Sequence, residues 1–379
     1  MNRSFRFRFR KAAAALSALV ILVAAGAAPV RGAQVQPAHS AAGVSAGIAG
    51  TSADTAGTSA EAAGTSAGGN GRGGSLASPA VTGPLTVRGT QLCGSDGSPA
   101  VLRGISTHGL QWFPQYVNRE LFRELRTDWG LNAVRLALYT EEGGYCASGP
   151  EQRERLKALV LQGVQAAKEA DLYVIVDWHI LSDGNPNAHA EEAARFFGEI
   201  GGALGDTDHV LYEICNEPNG GTSWQEIRRY AERVMPVIRQ FDPDAVILVG
   251  TPQWSQLVEE AAANPLQGYG NVMYTLHFYA DTHREWLRQS AERALDAGLP
   301  LFVSEFGICD ASGSGALNTK EGDAWMRFLS ERGVSSVYWN LCNKAETSAV
   351  ISPACQKVSG FTEEDLSPAG VWLRHSVSQ

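Results

Sequence analysis

From about residue 100 to the C-terminus, short apolar segments alternate with longer amphipathic ones. The apolar segments are rich in Val, Ile, Leu and Tyr, which is typical of strands buried on both faces. They predict eight strands: Val101–Ile105, Ala133–Leu138, Tyr173–Asp177, Val210–Cys215, Ala245–Val249, Val272–His277, Leu301–Ser304 and Ser335–Trp339. The amphipathic segments between them predict helices, among them Arg119–Asp128, Glu151–Ala170, Ala188–Leu204, Trp224–Phe241, Ser255–Ala263, Thr282–Ala297 and Thr319–Glu331.

Eight strands and about as many helices over roughly 290 residues predict an α/β fold, the closed (β/α)8 or TIM barrel. The main alternative, a doubly wound open sheet, would require a glycine-rich phosphate turn after its first strand. The first predicted strand instead runs into Ser-Thr-His-Gly at residues 106–109. Before the barrel, Leu85–Pro99 reads as a hairpin that turns at Asp96-Gly97 and closes the lower end.

The segment from residue 34 to residue 82 consists largely of Ala, Gly, Ser and Thr. The word AGTSA recurs there at 49–53, 56–60 and 63–67, but no large apolar residues follow this period of seven, so a coiled coil is not expected. Such a segment cannot offset its ordering entropy by burial. We therefore predict a flexible spacer at 34–82 and a folded domain at 83–379.

Residues 1–33 have the pattern of a secretory signal peptide. Five basic residues, from Arg3 to Lys11, precede an apolar run from Ala12 to Ala28, and small residues are available for cleavage. A single membrane anchor is the alternative, but an Ala- and Gly-rich run is only weakly apolar. The sequence thus predicts an extracellular protein, without membrane attachment after cleavage, and we expect a monomer.

The net charge is −9, and without the six basic residues of the first 33 it becomes −15. Such an acidic protein repels nucleic acid and anionic membranes, and suits an uncharged partner such as a polysaccharide. Six cysteines would enter an oxidising compartment, where disulfides can form. No CxxC pair is present, so no zinc site is expected.

Polar and aromatic residues collect where the predicted strands end. In a parallel barrel these ends meet at one face, where active sites are built. The residues are His108 and Trp112, Arg135 and Tyr139, His179, Asn216 and Glu217, His277 and Tyr279, Glu305, and Trp339.

Glu217 and Glu305 stand out because each directly follows an apolar strand. A single glutamate there could simply form a buried salt bridge with an arginine such as Arg135. A pair on the fourth and seventh strands, flanked by Asn, His, Tyr and Trp, instead favours glycosyl transfer. That chemistry requires one carboxyl group to protonate the leaving oxygen and a second to attack or to activate water.

With these residues in place, the sequence resembles glycoside hydrolase family 5, in particular its bacterial endoglucanase (cellulase) branch. The resemblance extends from about Leu85 to the C-terminus. It rests on LYEICNEP at 211–218, VSEFG at 303–307 and VYWN at 337–340, with further words at 104–112, 176–187 and 310–313. It implies a (β/α)8 barrel and a retaining double displacement on internal β-1,4-glucosidic bonds, with no cofactor and no metal ion.

The resemblance also implies roles for individual residues. Glu217 becomes the acid/base and Glu305 the nucleophile. Asn216 is expected to bind the sugar 2-hydroxyl, and Arg135 to keep Glu305 ionised. Tyr279 is expected to donate its hydroxyl to Glu305, and His277 to lie near Glu217.

Further positions are implied to bind the glucan. His179 would contact the sugar at the cleavage point, and Trp339 would form an aromatic platform beneath it. The positions expected to grip the non-reducing side are His108, Trp112, Tyr139, Lys344 and Glu346.

The sequence departs from the family pattern at Phe306, where tryptophan is usual, and at three cysteines near the site. Cys309 could pair with Cys342, or Cys342 with Cys355, and the sequence does not decide between them. Cys215 is expected to be a free thiol in the core.

Three alternatives to an endoglucanase remain: a β-mannanase, a mixed-linkage β-glucanase, and a non-catalytic glycan-binding barrel. The last is disfavoured because both carboxylates are present. Between the enzymes, the HGLQW word at 108–112 and the pair Lys344 and Glu346 favour glucan.

Overall fold

A computed structural model of the protein describes residues 76–377. The chain divides into two units, 1–69 and 70–379, and every described residue lies in the second. The predicted signal peptide and most of the predicted spacer are therefore outside the described residues.

The ordered region begins before the predicted domain boundary at residue 83. Helix α1 spans Pro79–Thr82, Ser78 is fully buried, and the main-chain N–H of Ala80 donates to Asp171. The last residues assigned to the spacer thus pack against the folded domain.

Eight parallel strands close into a barrel in sequence order, with the last paired to the first. All eight predicted strands and the predicted fold class are confirmed. The strands are β3 (Arg103–Thr107), β4 (Ala133–Tyr139), β5 (Tyr173–His179), β6 (Val210–Glu213), β7 (Val246–Val249), β8 (Val272–Tyr279), β9 (Leu301–Gly307) and β10 (Ser336–Leu341).

The helices form the outer layer of the barrel, and the seven predicted ones are present. They are α2 (Arg119–Thr127), α3 (Pro150–Glu169), α4 (Ala190–Leu204), α5 (Trp224–Arg239), α7 (Val258–Ala263), α8 (Glu285–Asp296) and α9 (Thr319–Glu331). A single turn, α6 (Pro252–Ser255), precedes α7, and α10 (Pro368–Val377) completes the ring after β10. No helix within residues 76–377 is long and apolar enough to cross a membrane.

The lower end of the barrel is closed by the N-terminal hairpin, as predicted, but the turn was misplaced. Strands β1 (Thr86–Arg88) and β2 (Gln91–Cys93) pair antiparallel across Gly89-Thr90. Asp96-Gly97 forms a second turn, after which Pro99 returns to bridge Cys93. Both dipeptides contain a glycine with positive φ, so composition alone did not identify the one between the strands.

The hairpin rests on an apolar layer that fills the lower half of the barrel. Leu85 and Leu92 belong to one buried cluster with inward residues of seven barrel strands, including Tyr173, Leu211 and Phe302. This layer separates the two ends of the barrel and leaves the upper end for polar residues.

Strand β9 contains a bulge that determines where Glu305 points. Phe302 pairs with Thr275 and Glu305 pairs with His277, so three steps along β9 match two along β8. The register against β10 shifts in the same stretch. A bulge adds one residue to a strand and reverses its alternation of side chains beyond that point. Ser304 and Glu305 consequently both face the barrel interior, where their side chains hydrogen bond.

All six cysteines are free thiols, so neither pairing considered from the sequence is formed. The Cys342 thiol contacts Asn340 Oδ1 at 2.8 Å, and the Cys355 thiol contacts the Asp365 carboxylate at 3.5 Å. Each has a polar partner of its own. Cys215 is fully buried, as expected of a core thiol.

Candidate active site

The upper end of the barrel opens into a cleft of about 730 Å³. Eleven of the thirteen residues predicted for the site line it: His108, Trp112, Tyr139, His179, Glu217, His277, Tyr279, Glu305, Trp339, Lys344 and Glu346. The other two, Arg135 and Asn216, lie beneath the cleft floor with no exposed surface. The strand ends therefore bring the predicted residues together.

Glu217 and Glu305 approach each other closely in this cleft. One carboxylate oxygen of each lies within 4.8 Å of the other and of a ring nitrogen of His277. Glu305 is part of β9, whereas Glu217 lies four residues beyond the end of β6. The side chains of Glu305 and Glu217 are 5 % and 11 % exposed, so each can reach a molecule bound in the cleft while most of its surface is shielded from water.

Arg135 occupies the centre of the cleft floor and contacts three carboxylates. Its guanidinium donates to both oxygens of Glu213, at 2.8 and 3.2 Å. It also donates to Glu305 Oε2 at 3.2 Å and lies 3.0 Å from Asp177. One cation thus serves three acids, and all four side chains are almost completely buried.

This sharing changes the expected ionisation of Glu305. Burial and the charge of Glu217 raise the pKa of Glu305 to about 7, although His277, Arg135 and the Tyr279 hydroxyl lower it. As predicted, Arg135 acts to lower the pKa of Glu305 and so favours its ionised form. That contribution is not large enough to offset the upward shift. Because Glu213 and Asp177 also draw on that charge, burial prevails.

His277 connects the two ends of the acidic network. Its Nδ1 lies 2.9 Å from Glu217 Oε1, as expected, and its Nε2 lies 2.9 Å from the Ser304 hydroxyl. Burial alone would lower the pKa of His277, but the carboxylates of Glu213, Glu217 and Glu305 outweigh it and raise the pKa to about 9. The ring is therefore a cation near neutral pH and offers N–H groups on both sides.

Glu217, His277 and Glu305 are close enough to reach one metal ion. The histidine does not fit that use, because a metal ligand must be a neutral ring with a free nitrogen. Both ring nitrogens of His277 already have partners. The trio is better suited to moving a proton between carboxylates.

Asn216 and His179 form the adjoining part of the floor. Asn216 Oδ1 accepts from Arg135 at 2.6 Å, and its Nδ2 donates to the Ile180 carbonyl and lies 3.3 Å from His179 Nε2. His179 Nδ1 is 2.6 Å from Asp177 Oδ2. Burial and nearby cations hold the pKa of His179 well below its usual value. The neutral ring therefore donates from Nδ1 and keeps Nε2 as an acceptor.

Tyr279 makes the contact predicted for it. Its hydroxyl donates to Glu305 Oε1 at 2.8 Å. Burial and the charge of Glu305 hold the pKa of Tyr279 well above its ordinary value. The tyrosine thus remains a hydrogen-bond donor, and the two oxygens of Glu305 are held by different partners.

Aromatic rings form one wall of the cleft. His179 contacts both Tyr139 and Trp339, with ring centroids 4.1 and 5.2 Å away. Trp112 contacts Tyr139 and His108 edge-on or tilted and is 45 % exposed. A flat, partly exposed indole offers the apolar surface on which the C–H face of a pyranose can pack.

Lys344 and Glu346 meet His108 beside this wall. Lys344 Nζ lies 2.6 Å from Glu346 Oε2, and His108 Nε2 lies 3.4 Å from the lysine and 3.6 Å from the glutamate. Burial lowers the pKa of His108 to about 4, so its ring is neutral. The three side chains provide both donors and acceptors to hydroxyl groups.

Two carboxylates of the floor, Asp177 and Glu213, were not predicted. Burial raises the pKa of Glu213, but Arg135 and His277 outweigh it and hold that pKa below its usual value. Glu213 also accepts from Ser304 at 2.8 Å. The available signal was an acidic residue at an inward position of an otherwise apolar strand, two residues after Leu211.

Trp254 was also missed. The residues Gln253, Trp254 and Ser255 have φ of 56°, 56° and 55°, a left-handed conformation that L-residues rarely adopt in succession. This turn is fixed against the loop that carries Glu217, since Trp254 N–H donates to the Pro218 carbonyl and the Ser255 hydroxyl to the Asn216 carbonyl. It leaves Trp254 44 % exposed in the cleft. The loop after β7 that carries it has no periodic pattern of apolar residues.

Residues 93–345 match the family described as "Cellulase (glycosyl hydrolase family 5)". The chain belongs to glycosyl hydrolase family 5. It is therefore an enzyme of the glycoside hydrolase class, and the alternative of a non-catalytic barrel is disfavoured further.

Relatives in this family are similar over most of the described residues. Endoglucanase A of Butyrivibrio fibrisolvens is 49 % identical over 299 residues, covering 78 % of this chain and 69 % of that protein. Endoglucanase 5 of Pectobacterium carotovorum subsp. carotovorum is 45 % identical, covering 79 % of this chain but only 59 % of the relative. The catalytic domain of the Thermobifida fusca endoglucanase Cel5A, solved with cellotetraose, is 37 % identical with a TM-score of 0.76, and covers 80 % of this chain and 100 % of that one.

For this family 5 enzyme we predict that the acidic limb of kcat/KM reports the ionisation of Glu305. The carboxylate form should be the active one, so activity should rise with pH through the pKa of about 7. Glu217→Gln removes a negative charge that raises this pKa, and the limb should therefore move to lower pH. The measurement is the pH dependence of kcat/KM with dinitrophenyl β-cellobioside, whose leaving group needs no protonation.

The matched control is Glu142→Gln, which removes the same charge from another position lining the cleft and should leave the limb where it is. An acidic limb that stays in place in Glu217→Gln would show that the two glutamates are not electrostatically linked as described.

Proposed function

We propose that this protein is an endo-β-1,4-glucanase that hydrolyses internal bonds of cellulose and related β-glucans with retention of configuration. The observation that supports retention is the approach of the Glu217 and Glu305 oxygens to within 4.8 Å. Retaining enzymes place their carboxyl groups about 5–5.5 Å apart, whereas inverting enzymes need about 6.5–9.5 Å to admit a water molecule.

In the first step, Glu305 attacks the anomeric carbon while Glu217 gives its proton to the leaving oxygen. Glu305 Oε1 and Oε2 are held by Tyr279 and Arg135. The carboxylate is therefore already oriented before attack, which reduces the entropy cost of reaching the transition state. His179 lines the cleft with the two glutamates, where it can contact a hydroxyl of the reacting sugar, and the fully buried Asn216 supports it from beneath the floor. Hydrogen bonds to the sugar's 2-hydroxyl would strengthen as positive charge develops on the ring.

In the second step, Glu217 removes a proton from water, which attacks the glycosyl ester. Once Glu305 is an ester, it no longer carries a negative charge next to Glu217. His277, a cation 2.9 Å from Glu217 Oε1, can pair with the Glu217 carboxylate. A single residue can therefore act as acid and then as base.

The choice of glucan rests on the cleft and on the relatives. The cleft is open and carries two exposed tryptophans, Trp112 and Trp254, with the largely buried Trp339 as a third lining indole, which suits a chain of equatorial sugars with flat apolar faces. The two relatives described above are named endoglucanases, and the Thermobifida fusca domain was solved with cellotetraose. A β-mannanase or a mixed-linkage β-glucanase is the remaining alternative.

An activity screen on carboxymethyl cellulose, barley β-glucan, galactomannan and xylan tests the substrate. We expect activity on the first two, with a rapid fall in the viscosity of carboxymethyl cellulose because internal bonds are cut. Glu305→Gln, nearly isosteric but unable to attack, should lose kcat by about three orders of magnitude or more and serves as the control for contaminating activity. Activity confined to galactomannan or xylan would contradict the proposal.

Azide rescue tests the acid/base role and the stereochemistry together. Glu217→Ala should still form the glycosyl ester from dinitrophenyl β-cellobioside, but it should stall at hydrolysis. Azide needs no base and should restore turnover, giving β-cellobiosyl azide that NMR can identify. No rescue in a folded Glu217→Ala variant would remove Glu217 from this role, and an α-azide would exclude retention.

We also propose that the enzyme is secreted and acts as a monomer. The support for secretion is the basic segment and apolar run within residues 1–33. The expected result is an active protein in the culture medium that has lost about the first 30 residues and has the mass of one chain by light scattering. An intact N-terminus held in the membrane fraction would argue for the anchor instead.

A further inference from the structure

Three acidic side chains meet at the end of the barrel opposite the cleft. Asp206 lies in the loop between α4 and β6, and Asp242 and Asp244 lie in the loop between α5 and β7. One carboxylate oxygen from each lies within 4.8 Å of the others. The three residues line a small cavity of about 20 Å³, together with Thr207 and Leu85.

Buried polar atoms without partners adjoin this cavity. Asp242 is only 1 % exposed, and its Oδ2 has no hydrogen-bond partner. The Thr207 hydroxyl and the hydroxyl of Tyr212, a fully buried residue, are also unpartnered. Asp242 and Asp206 are the charges that act on the Tyr212 hydroxyl. Unpaired buried polar groups are costly and are rarely left without a ligand, an ion or a water molecule.

The charge of these carboxylates is only partly offset by the residues around them. Arg239 is the cation whose charge acts on Asp242, but its guanidinium donates to the carbonyl oxygens of Ala245 and Gly270. The oxygens of the three carboxylates lie within 4.8 Å of one another, so the acids repel each other at short range and a bound cation would relieve that repulsion.

We propose that Asp206, Asp242 and Asp244 form a calcium site at the lower end of the barrel. Calcium prefers oxygen ligands at about 2.3–2.6 Å, so two oxygen ligands of one calcium ion are separated by at most about 5 Å. The spread of the three oxygens agrees with that limit. The smaller magnesium ion requires a tighter, near-octahedral set. Zinc prefers nitrogen and sulfur ligands, and neither is present in this cluster.

The position of the site indicates a stabilising role. Asp206 and Asp244 come from different loops, so one ion would join α4–β6 to α5–β7. The second loop is already tied to the N-terminal hairpin, because Asn271 donates to the Asp244 carbonyl and accepts from Val87 N–H. An ion there would hold the lower loops of the barrel together, below the apolar layer. Residues at this face of a TIM barrel serve stability.

Thermal unfolding of the full chain tests the proposal. After treatment with EDTA and its removal, millimolar CaCl2 should raise the Tm of the wild type by about 4 °C or more, because the ion binds the folded state alone. Magnesium at the same concentration should raise it much less. Asp242→Asn should lose the calcium-dependent rise, while its Tm without calcium stays equal to or above that of the wild type.

Asp208→Asn is the matched control, since it removes the same charge from the same loop and cavity wall but lies outside the three-oxygen cluster; it should keep most of the rise. Asp244→Asn, at an exposed position, provides a second variant if Asp242→Asn does not fold. Bound Tb³⁺ should also show luminescence sensitised by Tyr212 and be displaced by calcium.

A wild-type Tm that is the same in EDTA and in calcium would overturn the proposal. An equal rise in the wild type and in Asp242→Asn or Asp244→Asn would do so as well, and an equal response to magnesium would overturn the assignment to calcium. In every variant kcat on soluble glucan, measured well below the Tm, should match the wild type because the cluster is at the opposite end of the barrel.

Discussion

The buried guanidinium of Arg135 is the interaction on which the cleft depends. Charges are expensive to bury unless they are paired and hydrogen bonded. Arg135 meets Glu213, Asp177 and Glu305 at once, and it also fixes Asn216. Removing one member of such a group typically costs about 3–5 kcal/mol, because the remaining charges stay buried without compensation. Arg135 thus supports both the packing of the floor and the geometry of the residues above it.

The same arrangement determines how protons are distributed in the cleft. One arginine cannot fully neutralise three acids, so Glu305 has a raised pKa while Glu213 has a lowered one. His277 supplies a second cation between Glu213 and Glu217. Two cations therefore lie among four carboxyl groups, those of Asp177, Glu213, Glu217 and Glu305. A change in the charge of one member of this group is therefore felt by the others.

The barrel separates this polar network from a second electrostatic feature. An apolar layer under the cleft floor includes Tyr173, Leu211 and Phe302 and is capped by the N-terminal hairpin. Beyond it, Asp206, Asp242 and Asp244 concentrate negative charge at the lower loops. Strand ends at the top carry chemistry and loops at the bottom carry stability, which is the usual division in this fold. A cation at the lower face would act on unfolding without touching catalysis.

The sequence by itself determined the eight strands, their order and the residues at their upper ends, because apolar runs and the residues that follow them are local features. Strict alternation also places Arg135, Asp177 and His179 inside, since each lies an even number of positions from Ala133 or Tyr173. Which carboxylates Arg135 binds depended on strands distant in the chain, so its pairing with Glu213 and Asp177 could not be read from the sequence. The orientation of Glu305 depended on the bulge in β9, which pairing with β8 and β10 creates. The left-handed turn at Trp254 and the convergence of Asp206 with Asp242 likewise exist only where separate loops pack together, and no pattern along a single segment encodes a contact between two.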